Sequence, residues 1–214
     1  MISELLLWVI ILITVFISYK GFNDYNYFRK YEFHIGNIQR GEKYRMFSSA
    51  FLHADMMHLL FNMLTLFFFA PKVIYYFGNW DFVLIYIISL LVGNYLTFYL
   101  YKSNYNYRAV GASGAVTGIV YSAILIDPNA KLYLYFAIPI PAYIFGMAYL
   151  LYSIYGMKAQ NTNIGHSAHL GGAIAGYLLT LLLYPSLLYN NFLLVVSMAI
   201  PILIFIYMMK NNKL

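Results

Sequence analysis

Seven apolar runs separated by polar breaks dominate the chain. The first extends from about Leu5 to Tyr19; with Met1 and Ile2 it approaches the roughly 20 residues a transmembrane helix needs. It lacks a positively charged leader and a small-residue cleavage site, so it reads as a retained helix, not a signal peptide. A second run covers about Met56 to Phe77, with Pro71 near its far end as a kink or stop. Asn79-Trp80-Asp81 forms a turn with a helix cap, and a third run follows from about Phe82 to Tyr101. The fourth, about Ser113 to Ile126, is stopped by Asp127-Pro128-Asn129. The fifth runs from about Leu132 to Tyr155 with Pro139 and Pro141 inside it. The sixth starts near His166 and ends before Pro185, and a seventh spans about Phe192 to Met209.

The fourth run is unusual. Fourteen residues at 1.5 Å each rise only about 21 Å, short of a hydrocarbon core of roughly 30 Å. Such a helix begins below the membrane surface, which places Ser113 inside the bilayer and sheltered by other helices. The polar segment from about Lys20 to Asp55 is the longest break. It holds Lys20, Arg29, Lys30, Arg40, Lys43 and Arg45 along with apolar pieces. A loop of that length in a compact bundle is usually functional.

Composition agrees with the pattern. The chain is 63% hydrophobic and 9% charged, against roughly 25% charged in soluble domains. The expected fold class is all-α: a polytopic membrane helix bundle with a six-helix core and a seventh C-terminal helix. Without cysteine there is no disulfide and no thiolate chemistry. The formal charge of +6 is spread between apolar runs, a pattern suited to lipid headgroups and not to nucleic acid. The 24 tyrosines and 17 phenylalanines, many of them flanking apolar runs, read as interfacial belts.

Chemistry must come from polar groups inside the spans, where they are expensive. Glu4, Asp55, Asp81 and Asp127 all sit at span ends and read as caps. There is no mid-span aspartate pair and no His-Glu-x-x-His, which argues against aspartyl and zincin-type proteases. His166 and His169 are three apart, but no carboxylate completes a site with them and His58, so no metal is expected. Ser113, His58, Asn62 and His169 remain. His58 and Asn62 share a helix face. Alternating spans put the starts of the second, fourth and sixth on one side, so the four groups converge at similar depth. Gly114 and Gly118, and Ala168, Gly172 and Gly176, form small-residue faces on spans four and six. The close approach they permit serves ordinary packing, and it is also what a short serine side chain needs to reach a histidine.

The residues resemble the rhomboid family of intramembrane serine proteases. The matching pieces are His58-Leu-Leu-Phe-Asn62, Gly111-Ala-Ser-Gly114 and Ala168-His169-Leu-Gly-Gly172, in the family's order and on its second, fourth and sixth helices. The resemblance implies Ser113 as nucleophile, His169 as general base, and His58, Asn62 and the Ser113 backbone N–H as an oxyanion hole. It implies supporting roles for Gly111 in the turn before the serine and for Gly172 between the helices. Tyr44-Arg45 stands where the family usually has Trp-Arg, with Arg45 bracing the first loop. One position departs: the family often has an aromatic four residues after the serine, stacked on the histidine, where this chain has Thr117. Another residue must then hold the His169 ring. His34, His53 and His166 lie outside the motifs; His166 is expected in a surface loop, the alternative being a role in hydration or substrate binding near the site.

The implied partners are transmembrane protein substrates and the lipid bilayer, with no cofactor, metal or nucleic acid. Two alternatives use the same residues: a catalytically inactive rhomboid-like protein that binds membrane-protein clients, and a small transporter. The expected organisation is a core over 1–185 and an extra helix with a polar tail over 186–214, in the cell membrane as a multi-pass protein. The family's orientation puts two basic residues, Lys72 and Lys131, on the inner side and the other eleven outside, opposite to the positive-inside rule. The family orientation is favoured, with Asp24, Glu32 and Glu42 available to pair with first-loop cations.

Overall fold

The computed structural model describes residues 4–134, 137–159, 165–211 and 213; Met1 and Ile2 lie outside that set. Helix α1 covers Leu5–Asn23 and is followed by the short α2 (Tyr25–Tyr31), strand β1 (Phe33–His34), α3 (Ile35–Gln39) and α4 (Arg45–Ser48). Then come α5 (Met56–Tyr101), strand β2 (Arg108–Ala109), α6 (Ser113–Ile126) and the strands β3 (Lys131–Leu134) and β4 (Ile138–Pro141). The chain finishes with α7 (Ala142–Ala159), α8 (His166–Leu183), α9 (Ser186–Asn190) and α10 (Phe192–Lys210). Among the described residues, α1, α5, α8 and α10 are long and apolar enough to cross a membrane, and α6 is a shorter apolar helix.

Helix α5 holds two spans. Its 46 residues would measure about 69 Å if straight, over twice a hydrocarbon core. It folds back at Gly78, whose φ of +82° and ψ of 171° no helix contains. That break falls in the gap expected between the second and third runs, and the helix continues through Pro71, the other candidate kink or stop. A proline weakens a helix but keeps φ negative, whereas a reversal needs the positive φ that glycine adopts cheaply. The first leg runs alongside α6: His58 lies beside Gly111 at one end, and Lys72 pairs with Asp127 at 2.6 Å at the other. The second leg returns, with Ser89 against Gly118 and Gly93 against Ala168. Spans therefore alternate as the sequence implies.

The fifth span differs from its expected bounds. Strands Lys131–Leu134 and Ile138–Pro141 pair as an antiparallel ribbon in which Lys131 faces Pro141 and Tyr133 faces Pro139. The helix begins only at Ala142, whose N–H returns to Ala130 O at 2.8 Å. Pro139 and Pro141 lack the N–H a helix interior would use, and they are tolerated on the edge of a two-stranded ribbon.

Helix α6 is the axis of the bundle. Every residue from Gly114 to Leu125 is buried, as expected of a helix apolar on all sides. Helix α8 lies directly against it. A Cβ added to Gly172 would fall 1.9 Å from Gly114 O, and one added to Gly176 would fall 2.3 Å from Gly118 O. The second leg of α5 closes the third side, where a Cβ on Gly171 would meet Gly93 Cα at 2.8 Å. These three helices pack backbone to backbone.

Polar loops cover one end. Strands β1 and β2 pair Phe33 with Ala109 and His34 with Arg108. Arg45, buried, donates from Nε to Glu42 at 2.6 Å and from Nη1 to the carbonyls of Arg29 at 2.8 Å and Glu32 at 3.0 Å. These bonds join separate parts of the first loop, and the one to Glu42 holds its carboxyl below the usual carboxylate range. Glu32 receives Arg29 and Arg108. Asp24 instead caps α2, accepting the Tyr27 N–H at 2.9 Å.

The glycine contacts make a stability prediction. Gly172→Ala should destabilise the protein by about 1–3 kcal/mol, the cost of overpacking a tight core. Gly165→Ala, whose Cβ meets among the described residues only Ala168 Cβ at 3.9 Å, should stay within about 0.5 kcal/mol. Unfolding in mixed micelles measures both, and equal effects would contradict the packing described.

Candidate active site

The site is built on the turn entering α6. Gly111 has a φ of +125°, in the region that favours glycine. Space demands glycine as well: a Cβ there would lie 2.7 Å from His58 Cε1 and 3.8 Å from Ser113 Oγ. The two N–H groups before the serine are held, Gly111 by Ser49 O at 3.0 Å and Ala112 by His53 Nε2 at 3.3 Å. Ser113 opens the helix, where first-turn N–H groups have no intrahelical acceptor and the helix dipole is positive.

His53 is a residue the sequence reading left unassigned. It is fully buried in the loop before α5, and burial, with His58 beside it, pushes its imidazole down to about 3. It is therefore neutral, and its hydrogen bonds fix the tautomer. Nε2 accepts from Ala112, so Nδ1–H donates to Ser18 Oγ at 2.9 Å, and Ser18 donates to Phe51 O at 2.8 Å. One ring thus ties α1, the first loop and the serine turn together.

His58 and Asn62 stand in the first turns of α5, which Asp55 caps by accepting the His58 N–H at 2.8 Å. The Asn62 amide donates to His58 O at 2.9 Å and keeps a second N–H. His169, in the first turn of α8, is also buried. Its Nδ1 meets the Tyr149 hydroxyl at 2.8 Å, and the two rings stack with centroids 5.7 Å apart at 25°. Thr117 does not take the place of the missing aromatic; its hydroxyl donates to Ser113 O at 2.7 Å. The ring is held from α7 by Tyr149. His166, expected on a surface loop, is instead buried, its ring edge-on to Tyr152 at 5.2 Å and to His169 at 6.2 Å. The apolar floor of α7 and the start of α8 draw it in: Gly156 leaves the room that its ring fills.

Ser113, His169, His58 and Asn62 line one cavity of about 970 Å³, together with Thr117 and Tyr149. The structure thus brings together the four polar groups singled out in the sequence. Gly114, Gly118, Gly172 and Gly176 lie behind them in the helix contacts, and Arg45 lies in the loop brace. Arg108 and Glu32, paired with each other, also border the cavity. Tyr149 and His53 carried no signal of their own: one is among 24 tyrosines, the other sits in a polar loop. Among the described residues, no three His, Cys, Asp or Glu side chains are grouped to hold a metal ion. The arrangement suits nucleophilic chemistry: a hydroxyl at a helix N-terminus, an imidazole, and amide and imidazole donors around one space.

Comparison with known proteins agrees in outline. The family model described as Rhomboid domain matches residues 40–186. The chain is 32% identical over 174 residues to RHOMBOID-like protein 12, mitochondrial, of Arabidopsis thaliana, covering 74% of this chain and 52% of that protein. It is 32% identical over 150 residues to YdcA of Bacillus subtilis (strain 168), named as a candidate rhomboid protease, covering 68% of this chain and 69% of that one. Rhomboid protein 1, mitochondrial, of Saccharomyces cerevisiae is 29% identical over 140 residues, 64% of this chain and 40% of the yeast protein. The chain thus spans about half the length of the Arabidopsis relative. With a family match that takes in α5, α6, α8 and each of the six cavity-lining residues named first, this chain belongs to the rhomboid family and is a multi-pass membrane protein.

Proposed function

We propose that this rhomboid is an active intramembrane serine endopeptidase that hydrolyses peptide bonds in or near transmembrane segments of membrane-protein substrates. The observation that carries the reading is the shared cavity: it is lined by a glycine-flanked serine opening a buried helix, by a histidine held by a second residue, and by two further donors.

Ser113 Oγ attacks the scissile carbonyl while His169 takes its proton. The oxyanion accepts hydrogen bonds from the Ser113 N–H, the Asn62 amide and the His58 ring. Collapse breaks the C–N bond, and His169 protonates the leaving amine. Water then attacks the acyl-enzyme, giving its proton to His169, and the second collapse returns that proton to Ser113. Burial of the histidine in a bundle with loops on one end supports a polar cavity through which water arrives. Residues 1–185 act as the protease core, and 186–214 add the helix α10, which touches the core where Tyr177 donates to Val195 O at 2.8 Å. The protein resides in the cell membrane with its cavity on the outer face. In that orientation Arg29 and Arg45 of the first loop pair with Glu32 and Glu42 on the outer face, and Arg108, before α6, also pairs with Glu32.

A fluorophosphonate probe should label the wild type and fail to label Ser113→Ala. No labelling of the wild type would instead favour an inactive client-binding rhomboid. Asn62→Ala should retain labelling but lower kcat by about 10² or more, the typical effect of one oxyanion donor. A reporter fused in the loop containing Lys131 should read as cytoplasmic, and an extracytoplasmic signal would reverse the orientation.

A further inference from the structure

The His169 ring has two nitrogens, and only one can face Ser113. If that nitrogen is to accept a proton, the other must already carry one. In serine proteases of other folds a third group fixes this tautomer. Here Nδ1 of His169 lies 2.8 Å from the Tyr149 hydroxyl, which is both donor and acceptor and so decides nothing by itself.

The proposed chemistry decides it. For Nε2 to take the Ser113 proton, Nδ1 must carry the other ring proton. At 2.8 Å the Tyr149 oxygen is the group placed to accept it. The Thr117 hydroxyl is committed elsewhere, donating to Ser113 O at 2.7 Å.

We propose that Tyr149 is the positioning residue for His169, accepting its Nδ1–H so that the Nε2 lone pair faces Ser113. The inference rests on the serine-protease reading above and extends it to a residue on a fourth helix. The Tyr149 ring also stacks on the imidazole, with centroids 5.7 Å apart at 25°, so one residue of α7 both covers the ring and meets its Nδ1. Helix α7 is held close enough by Gly146, where a Cβ would lie 3.0 Å from Ile124 Cδ1 and whose carbonyl accepts from Tyr121. Tyr149 stands three residues further along that same helix face.

Tyr149→Phe removes the hydroxyl and keeps the ring. It should lower kcat on a transmembrane substrate about tenfold, the usual worth of one hydrogen bond expressed as rate, with KM and the unfolding midpoint unchanged. The direct readout is the ¹⁵N spectrum of histidine-labelled full-length protein in micelles, with His169 assigned by its loss in His169→Gln. The wild type should show His169 protonated at Nδ1, and Tyr149→Phe should shift the population towards Nε2–H. A wild-type Nε2–H tautomer, an unchanged tautomer in Tyr149→Phe, or an unchanged kcat would each overturn the proposal. Ser113→Ala separates the two claims: if it cleaves like the wild type, the protease reading falls, while the tautomer result stands on its own.

Discussion

The contact between α6 and α8 is the constraint on which the rest depends. Two helices whose backbones touch leave no room for a single Cβ at Gly172 or Gly176. In a bilayer, where lipid tails are as apolar as leucine, such close packing is a main source of helix association. It sets Ala168 against Gly114 and so brings the neighbours of each, His169 and Ser113, to one cavity. Larger residues would push the helices apart by several ångströms, and a serine side chain is too short to span such a gap. Packing and chemistry are thus set by the same atoms.

At the loop end of the bundle, several polar groups are held in a directed way. His53 holds the turn before the serine, Arg45 holds the first loop, and Glu32 holds Arg29 and Arg108. Each is a buried or half-buried group whose partners leave little choice of position. A site inside a membrane needs this, because unpaired polar groups there cost several kcal/mol. The loop end of the bundle is therefore the fixed rim of the cavity, and its hydrogen bonds run back to the first helix through Ser18.

Much of this was legible in the sequence. Spans four and six were readable to within a residue because apolar runs met unambiguous stops, Asp127-Pro128 and Tyr184-Pro185. The convergence of Ser113, His58, Asn62 and His169 followed from counting spans. Local signals failed where two of them competed. Pro71 read as a kink or stop, yet the helix runs through it and turns back at Gly78, in the gap between the two expected runs. Pro139 and Pro141 sat in an apolar run yet belonged to a ribbon. Tyr149 was hidden for another reason: interfacial belts already account for tyrosines flanking apolar runs, and only tertiary structure distinguishes the one that meets a histidine. His53 and His166 were equally opaque, because burial of a loop residue depends on contacts with distant parts of the chain.

The central claim is that this cavity cuts peptide bonds inside a membrane, and cleavage in liposomes tests it most directly. Purified wild-type protein and Ser113→Ala are reconstituted with a single-pass substrate carrying helix-breaking residues near one membrane face, and products are read by mass spectrometry. The account predicts a defined cut in or near the substrate's membrane segment by the wild type and none by Ser113→Ala. Intact substrate with labelled, folded wild type, or equal cleavage by both proteins, would contradict it.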